Sequence, residues 1–128
     1  MVKKIMVVDD DVDYVVQLAA QLRAEGYEVL TADGVAAAKD MLSKHRPDLA
    51  IVDLMMENTD DGFRLCHHIK KVDTSIPVVL VTAVASETGL DFDASTREER
   101  SWIKADVVLD KPIRFEQLKR EIHRLIHV

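Results

Sequence analysis

The sequence predicts an α/β fold, a (βα)5 doubly wound sheet of five parallel strands. Short apolar runs alternate with segments of helical period, and the alternation repeats five times. The runs are mostly apolar, with few polar residues interleaved. Strands of that kind are covered on both faces and belong to parallel sheets with right-handed crossovers. At 128 residues the chain can bury one core and has no room for a second folded unit, so residues 1–128 are read as a single domain.

The elements follow in order. "KKIMVV" is the first strand, and after a group of acids Val12, Val15, Val16, Ala19 and Leu22 recur at helical spacing until Gly26 supplies a stop. "YEVLTA" is the second strand, and an alanine-rich helix from Val35 to His45 ends before Pro47. "DLAIVDL" is the third strand. A loop through "MMENTDDG" leads to a helix with Phe63, Cys66 and Ile69 on one face, started by Asp60 or Asp61 with Gly62. Pro77 opens the fourth strand, "VVLVTA". A long polar stretch follows and leads into a helix ending near Lys104. "DVVLD" is the fifth strand, and a last helix carries Phe115, Leu118, Ile122 and Leu125.

Composition narrows the function. A net charge of −6 argues against direct nucleic-acid binding, which depends on neutralising phosphates with Lys and Arg. Cys66 is the only cysteine, so no internal disulfide forms. No apolar run approaches a membrane span, and the four apolar residues after Lys4 are too few for a secretory leader. The expectation is a cytoplasmic protein without membrane contact.

In open parallel sheets ligands bind at the carboxyl ends of the strands. Asp9, Asp10 and Asp11 end the first strand, Asp53 the third and Thr82 the fourth, while Lys111 and Pro112 follow the fifth. Carboxylates about 4 Å apart repel by roughly 4 kcal/mol at an effective dielectric near 20. A divalent cation offsets such a cluster, and Mg²⁺ takes one or two carboxylates while keeping sites for water and a phosphate oxygen. A hydroxyl and an ammonium at Thr82 and Lys111 suit the remaining phosphoryl oxygens. The set fits phosphoryl transfer onto an aspartate.

"IMVVDDD", "DLAIVDLMM", "VVLVTA" and "DKP" together resemble the four signatures of the two-component response-regulator receiver domain, in the right order and over nearly the whole chain. The resemblance implies a CheY-like, flavodoxin-like fold with strand order 2-1-3-4-5. It assigns the metal-holding acidic pair to Asp9 and Asp10 and the phospho-acceptor to Asp53. The backbone carbonyl of Met55 becomes a further ligand of Mg²⁺, Thr82 the switch hydroxyl and Lys111 the family's lysine. The Lys111-Pro112 bond matches one that is cis in the family. The implied partners are a sensor histidine kinase or phosphotransfer protein, and a downstream protein. A stand-alone domain would pass its signal to that protein, by self-association on phosphorylation, or by onward phosphotransfer.

Three features depart from the family pattern. Glu57 stands where a proline is usual, in a loop one residue longer than normal; Val108 replaces the aromatic partner of the switch threonine. Thr82 and Lys111 lie 29 residues apart, the excess falling in the segment "VASETGLDFDASTREERSW", whose Phe92 and Trp102 are read as anchoring aromatics. Apolar Met55 and Val84, flanking the entry of a hydrolytic water, imply slow self-dephosphorylation.

Simpler roles account for other residues. Asp11 and Asp13 are read as helix-capping acids and Cys66 as a small core residue. His67 and His68 point apart, and His123 with His127 lacks a third metal ligand. Two rival functions remain at this level. In a haloacid-dehalogenase-like phosphohydrolase Asp9 would be the nucleophile, although Asp13 stands where that family expects Thr or Val. The other rival is an interaction module indifferent to phosphorylation.

Overall fold

Residues 2–54, 56–58, 61–82 and 105–127 are described by the computed structural model. All five expected strands form: β1 (Lys4–Val8), β2 (Glu28–Ala32), β3 (Leu49–Asp53), β4 (Val78–Thr82) and β5 (Val107–Asp110). Helices α1 (Val12–Ala24), α2 (Val35–Lys44) and α3 (Asp61–Val72) follow the first three, and α4 (Phe115–Ile126) follows β5. The helix expected to end near Lys104, with Phe92 and Trp102, lies outside the described residues, as do Met55, Asp60 and Val84.

The boundaries have local causes. Asp11 is the N-cap of α1, and its side chain accepts a hydrogen bond from the Tyr14 N–H at 3.2 Å, the role expected of it. Gly26 has a φ of +94°, which a residue without Cβ adopts freely. It lets its own N–H reach the Arg23 carbonyl and the Tyr27 N–H reach the Leu22 carbonyl, closing α1 in a Schellman turn. Tyr27, expected in the second strand, therefore belongs to the turn before it.

Asp106 also lies just outside its expected strand. Its carboxylate accepts the Val78 N–H at 2.7 Å and its own N–H donates to the Val78 carbonyl, so it anchors the start of β4.

The strands form one parallel sheet in the order β2-β1-β3-β4-β5, as the resemblance implies. Side chains alternate between its faces, which divides the core in two. Met6, Val8, Ala50, Val52, Val78 and Leu80 pack with Ala38 and Leu42 of α2 and Leu65, Cys66 and Ile69 of α3. On the other face Ile5, Val7, Leu49, Ile51, Val79 and Val81 pack with Leu18 and Leu22 of α1 and Leu118 and Ile122 of α4. Each large side chain buried in these layers stabilises the fold by roughly 1.5–3 kcal/mol.

Cys66 is fully buried in the first layer, where burial pushes its thiol up to about 12. It is the inert core residue expected. Among the described residues no helix is long and apolar enough to cross a membrane.

Candidate functional site

Strand order reverses between β1 and β3, because the chain places β2 on one side of β1 and then crosses back to build the rest of the sheet on the other. Such a switch point leaves a crevice at the carboxyl edge. The register pairs Val8 with Val52, so Asp9 and Asp53 are the next residues on adjacent strands. On the far side of β3, Asp53 pairs with Val81, which brings Thr82 one residue further along β4. Thr82 in turn pairs with Asp110, and the Lys111 N–H donates to the Thr82 carbonyl at 2.8 Å.

One edge of the sheet therefore gathers Asp9, Asp10, Asp53, Thr82 and Lys111. Thr82 is fully buried, Asp9 is 3% exposed and Asp53 7% exposed, while Asp10 faces solvent. Carboxylate oxygens of Asp9, Asp10 and Asp53 all lie within 4.8 Å of one another. Among the described residues they are the one group of three or more acids, histidines or cysteines close enough to hold a metal ion; His123 and His127 are not part of it. The Met55 carbonyl lies outside the described residues.

Lys111 is the counter-charge. Its ammonium sits 3.2 Å from Asp9 Oδ2 and 3.4 Å from Asp53 Oδ1. Asp9 and Asp53 share this lysine, and the protonation of Asp53 reflects its buried surroundings. Burial pushes the Asp53 carboxyl up to about 6, the Asp9 charge adds to the rise, and Lys111 opposes it. Burial pulls the Lys111 ammonium down, but the carboxylates of Asp53 and Asp9 outweigh it, and its pKa ends above the usual lysine value.

Compact oxygen donors with surplus negative charge are what a hard divalent cation requires, so the residues present fit Mg²⁺.

The peptide bond between Lys111 and Pro112 is cis. Gly62 explains how α3 begins so close to Asp53. Its N–H donates to the Leu54 carbonyl at 2.8 Å, and a Cβ there would overlap the Leu54 Cα and lie 2.6 Å from the Asp53 carbonyl oxygen. Asp61 is the acid that starts α3. It is buried, and its carboxylate accepts the Asn58 N–H at 2.8 Å and the Asn58 side-chain amide at 3.2 Å.

Two neighbours escaped the sequence reading. Asp9 Oδ1 accepts the Asp11 N–H at 2.9 Å, which ties Asp9 to the helix cap. Tyr14, in the first turn of α1, places its ring under Lys111, with the ammonium 5.0 Å from the ring centroid. A lone aromatic just after the acidic run was the only signal for it.

Comparison with known proteins agrees with this geometry. The sequence profile of the response regulator receiver domain matches residues 5–123. The heme response regulator HssR of Staphylococcus aureus is 36% identical over 114 residues, covering 88% of this chain and 46% of its own. The chain thus spans about half the length of the curated relatives it matches. A CheY-like receiver domain protein from Methanospirillum hungatei superposes with a TM-score of 0.82 at 22% identity, over 99% of this chain and 95% of the other. The response regulator TrrA of Thermotoga maritima, solved with Mg²⁺ and a beryllium fluoride, superposes with a TM-score of 0.77 at 28% identity, over 96% and 98%.

Proposed function

This chain belongs to the response regulator receiver domain family, and from that premise we propose that residues 1–128 form one receiver domain in which Asp53 accepts a phosphoryl group. The observation that carries the reading is the Lys111 ammonium shared between Asp53 and Asp9, the one cation paired with these clustered acids among the described residues. Receiver domains act in phosphorelay signalling and are generally signalling modules, not enzymes. The family match favours this reading over an Asp9-centred hydrolase.

The donor would be a phosphohistidine on a sensor histidine kinase or phosphotransfer protein. An Asp53 carboxylate oxygen attacks phosphorus in line; the O–P bond forms as the N–P bond breaks, and the electron pair returns to the imidazole nitrogen. With its pKa raised to about 6, Asp53 is more basic than an ordinary carboxylate and still ionised at pH 7. Lys111 remains charged and meets the negative charge developing on the phosphoryl oxygens, and the Thr82 hydroxyl donates to another. Mg²⁺, held by Asp9, Asp10, Asp53 and the Met55 carbonyl, would neutralise further charge on the transferring group.

The product is an acyl phosphate. Its added charge gives Thr82 and Lys111 a new partner and shifts a pre-existing equilibrium around β4 and β5, which a downstream protein reads. Exposed Val12 and Val16 on α1 rim the same opening as Asp9 and offer a donor protein apolar surface beside it.

The test is incubation with acetyl phosphate and Mg²⁺, followed by mapping of the modified residue. A phosphoryl group on Asp53, absent from Asp53→Asn, is the expected result. Modification of Asp9 would mean a hydrolase instead. No modification, with partner binding unaltered in Asp53→Asn, would leave an interaction module.

A further inference from the structure

The geometry points to Tyr14 as a positioning residue whose ring holds the Lys111 ammonium in reach of Asp53, an inference that rests on the acceptor role proposed above. Lysine is a flexible four-carbon stem with a strongly hydrated charge, so it occupies one place only if several groups hold it there. Lys111 has three: Asp9 Oδ2 at 3.2 Å, Asp53 Oδ1 at 3.4 Å and the face of Tyr14, whose centroid lies 5.0 Å away. That last distance is within the range at which a ring's quadrupole attracts a cation.

The ring itself is fixed. Its backbone N–H is bonded to the Asp11 cap, and Asp11 N–H is bonded to Asp9 Oδ1. The ring is half-buried with Ile113 and Phe115 against the core layer beneath α1 and α4. The contacts close a circuit from Asp9 through Asp11 and Tyr14 to Lys111 and back to Asp9. The acids that start α1 and the acid that faces Lys111 are parts of one construction.

The ring differs from the two carboxylates in a way that matters for the reaction. Asp53 loses its free carboxylate when it is phosphorylated, and Asp9 is shared with whatever cation the acids hold. The pull of the ring depends on neither event. It keeps the ammonium beside the acceptor while the carboxylates change their obligations.

Two variants test this. Tyr14→Leu keeps bulk and removes the ring; Tyr14→Phe keeps the ring and removes the hydroxyl. The Lys111 ε-methylene proton resonances, shielded by the ring in the unmodified protein, are expected to move downfield in Tyr14→Leu and to stay in place in Tyr14→Phe. The rate constant of phosphorylation by acetyl phosphate at saturating Mg²⁺ is expected to fall roughly threefold to tenfold in Tyr14→Leu and to be restored in Tyr14→Phe. Unchanged resonances and rate in Tyr14→Leu would overturn the inference, and so would a Phe variant as impaired as the Leu variant. If the wild-type protein took up no phosphoryl group, the acceptor reading would fall; the resonances, measured without phosphodonor, would still decide whether the ring holds the lysine.

Discussion

Both edges of the sheet carry aspartates, and they treat them in opposite ways. At the amino edge Asp106 accepts the Val78 N–H and the Lys70 ammonium at 2.8 Å. Asp48 accepts the Lys4 N–H at 2.7 Å, and Asp73 is held by Ser75 through both its N–H and its hydroxyl and by Arg46. Hydrogen bonds from Ser75 and then Arg46 hold the Asp73 carboxyl down at about 2. At the carboxyl edge Asp9, Asp10 and Asp53 cluster with Lys111 as the one paired cation among the described residues, and burial pushes Asp53 up to about 6. An aspartate that fastens the fold has its own donors and cation. The one proposed as the acceptor is left short of them, and that deficit is what a cation and a phosphoryl group would fill.

The contrast can be broken most severely at its single cation. Lys111→Met should slow phosphorylation by acetyl phosphate about 100-fold, since the charge developing on phosphorus loses its preorganised ammonium. Mg²⁺ affinity, measured by calorimetry well above neutral pH so that Asp53 stays ionised without its lysine, should not weaken. A parallel loss of both would mean that the lysine only shapes the pocket.

Removing the strained acid should instead stabilise the protein. Folded Asp53 keeps its proton up to about pH 6, whereas an unperturbed carboxyl releases it near 3.8. Between those values the folded state binds more protons than the unfolded state, so stability falls as pH rises, and the full cost is present above pH 6. Asp53→Asn should therefore raise stability at pH 8 by about 2–3 kcal/mol and gain almost nothing at pH 4, read from urea midpoints at the two pH values. Mg²⁺ binding to the wild-type protein should weaken over the same range, as pH falls through about 6 and Asp53 takes up its proton.

On the opposite edge the sign reverses. Asp106→Ala leaves the Val78 N–H without its acceptor and the Lys70 ammonium with backbone carbonyls such as that of Ile76 in place of a carboxylate, and should cost about 1–2 kcal/mol in urea unfolding, with the rate of phosphorylation unaltered. The smallest effect belongs to the residue that links the acidic run to its helix. Asp11→Ala removes a cap and should cost about 1 kcal/mol, seen as a small drop in melting temperature.

Much of the site is legible in the sequence. Apolar runs bounded by polar residues marked each strand, and the residue types at their ends named Asp9, Asp10, Asp53, Thr82 and Lys111 as a group. Asp11 as a cap was readable from its place before a helical period. Asp106 was not, because an acid at the head of an apolar run looks like the first residue of a strand. Its value lies in reaching the backbone of β4, a partner 28 residues away. Gly62 reads as part of the cap that starts the third helix. That it must lack a side chain follows from the approach of α3 to the Asp53 carbonyl, which no local pattern encodes.

The sequence by itself determined the five strands, the helix caps and stops, and the chemical identity of every group in the pocket, because periodicity, propensity and capping act over a few neighbouring residues. Tertiary structure decided which of those groups meet. The parallel register sets Asp9 beside Asp53, the turn after β5 swings Lys111 between them, and α1 packs so that the Tyr14 ring lies under the ammonium. It also decided their charge. Burial and the ratio of acids to cations set the protonation of Asp53, and both are properties of the assembled edge, not of any stretch of chain.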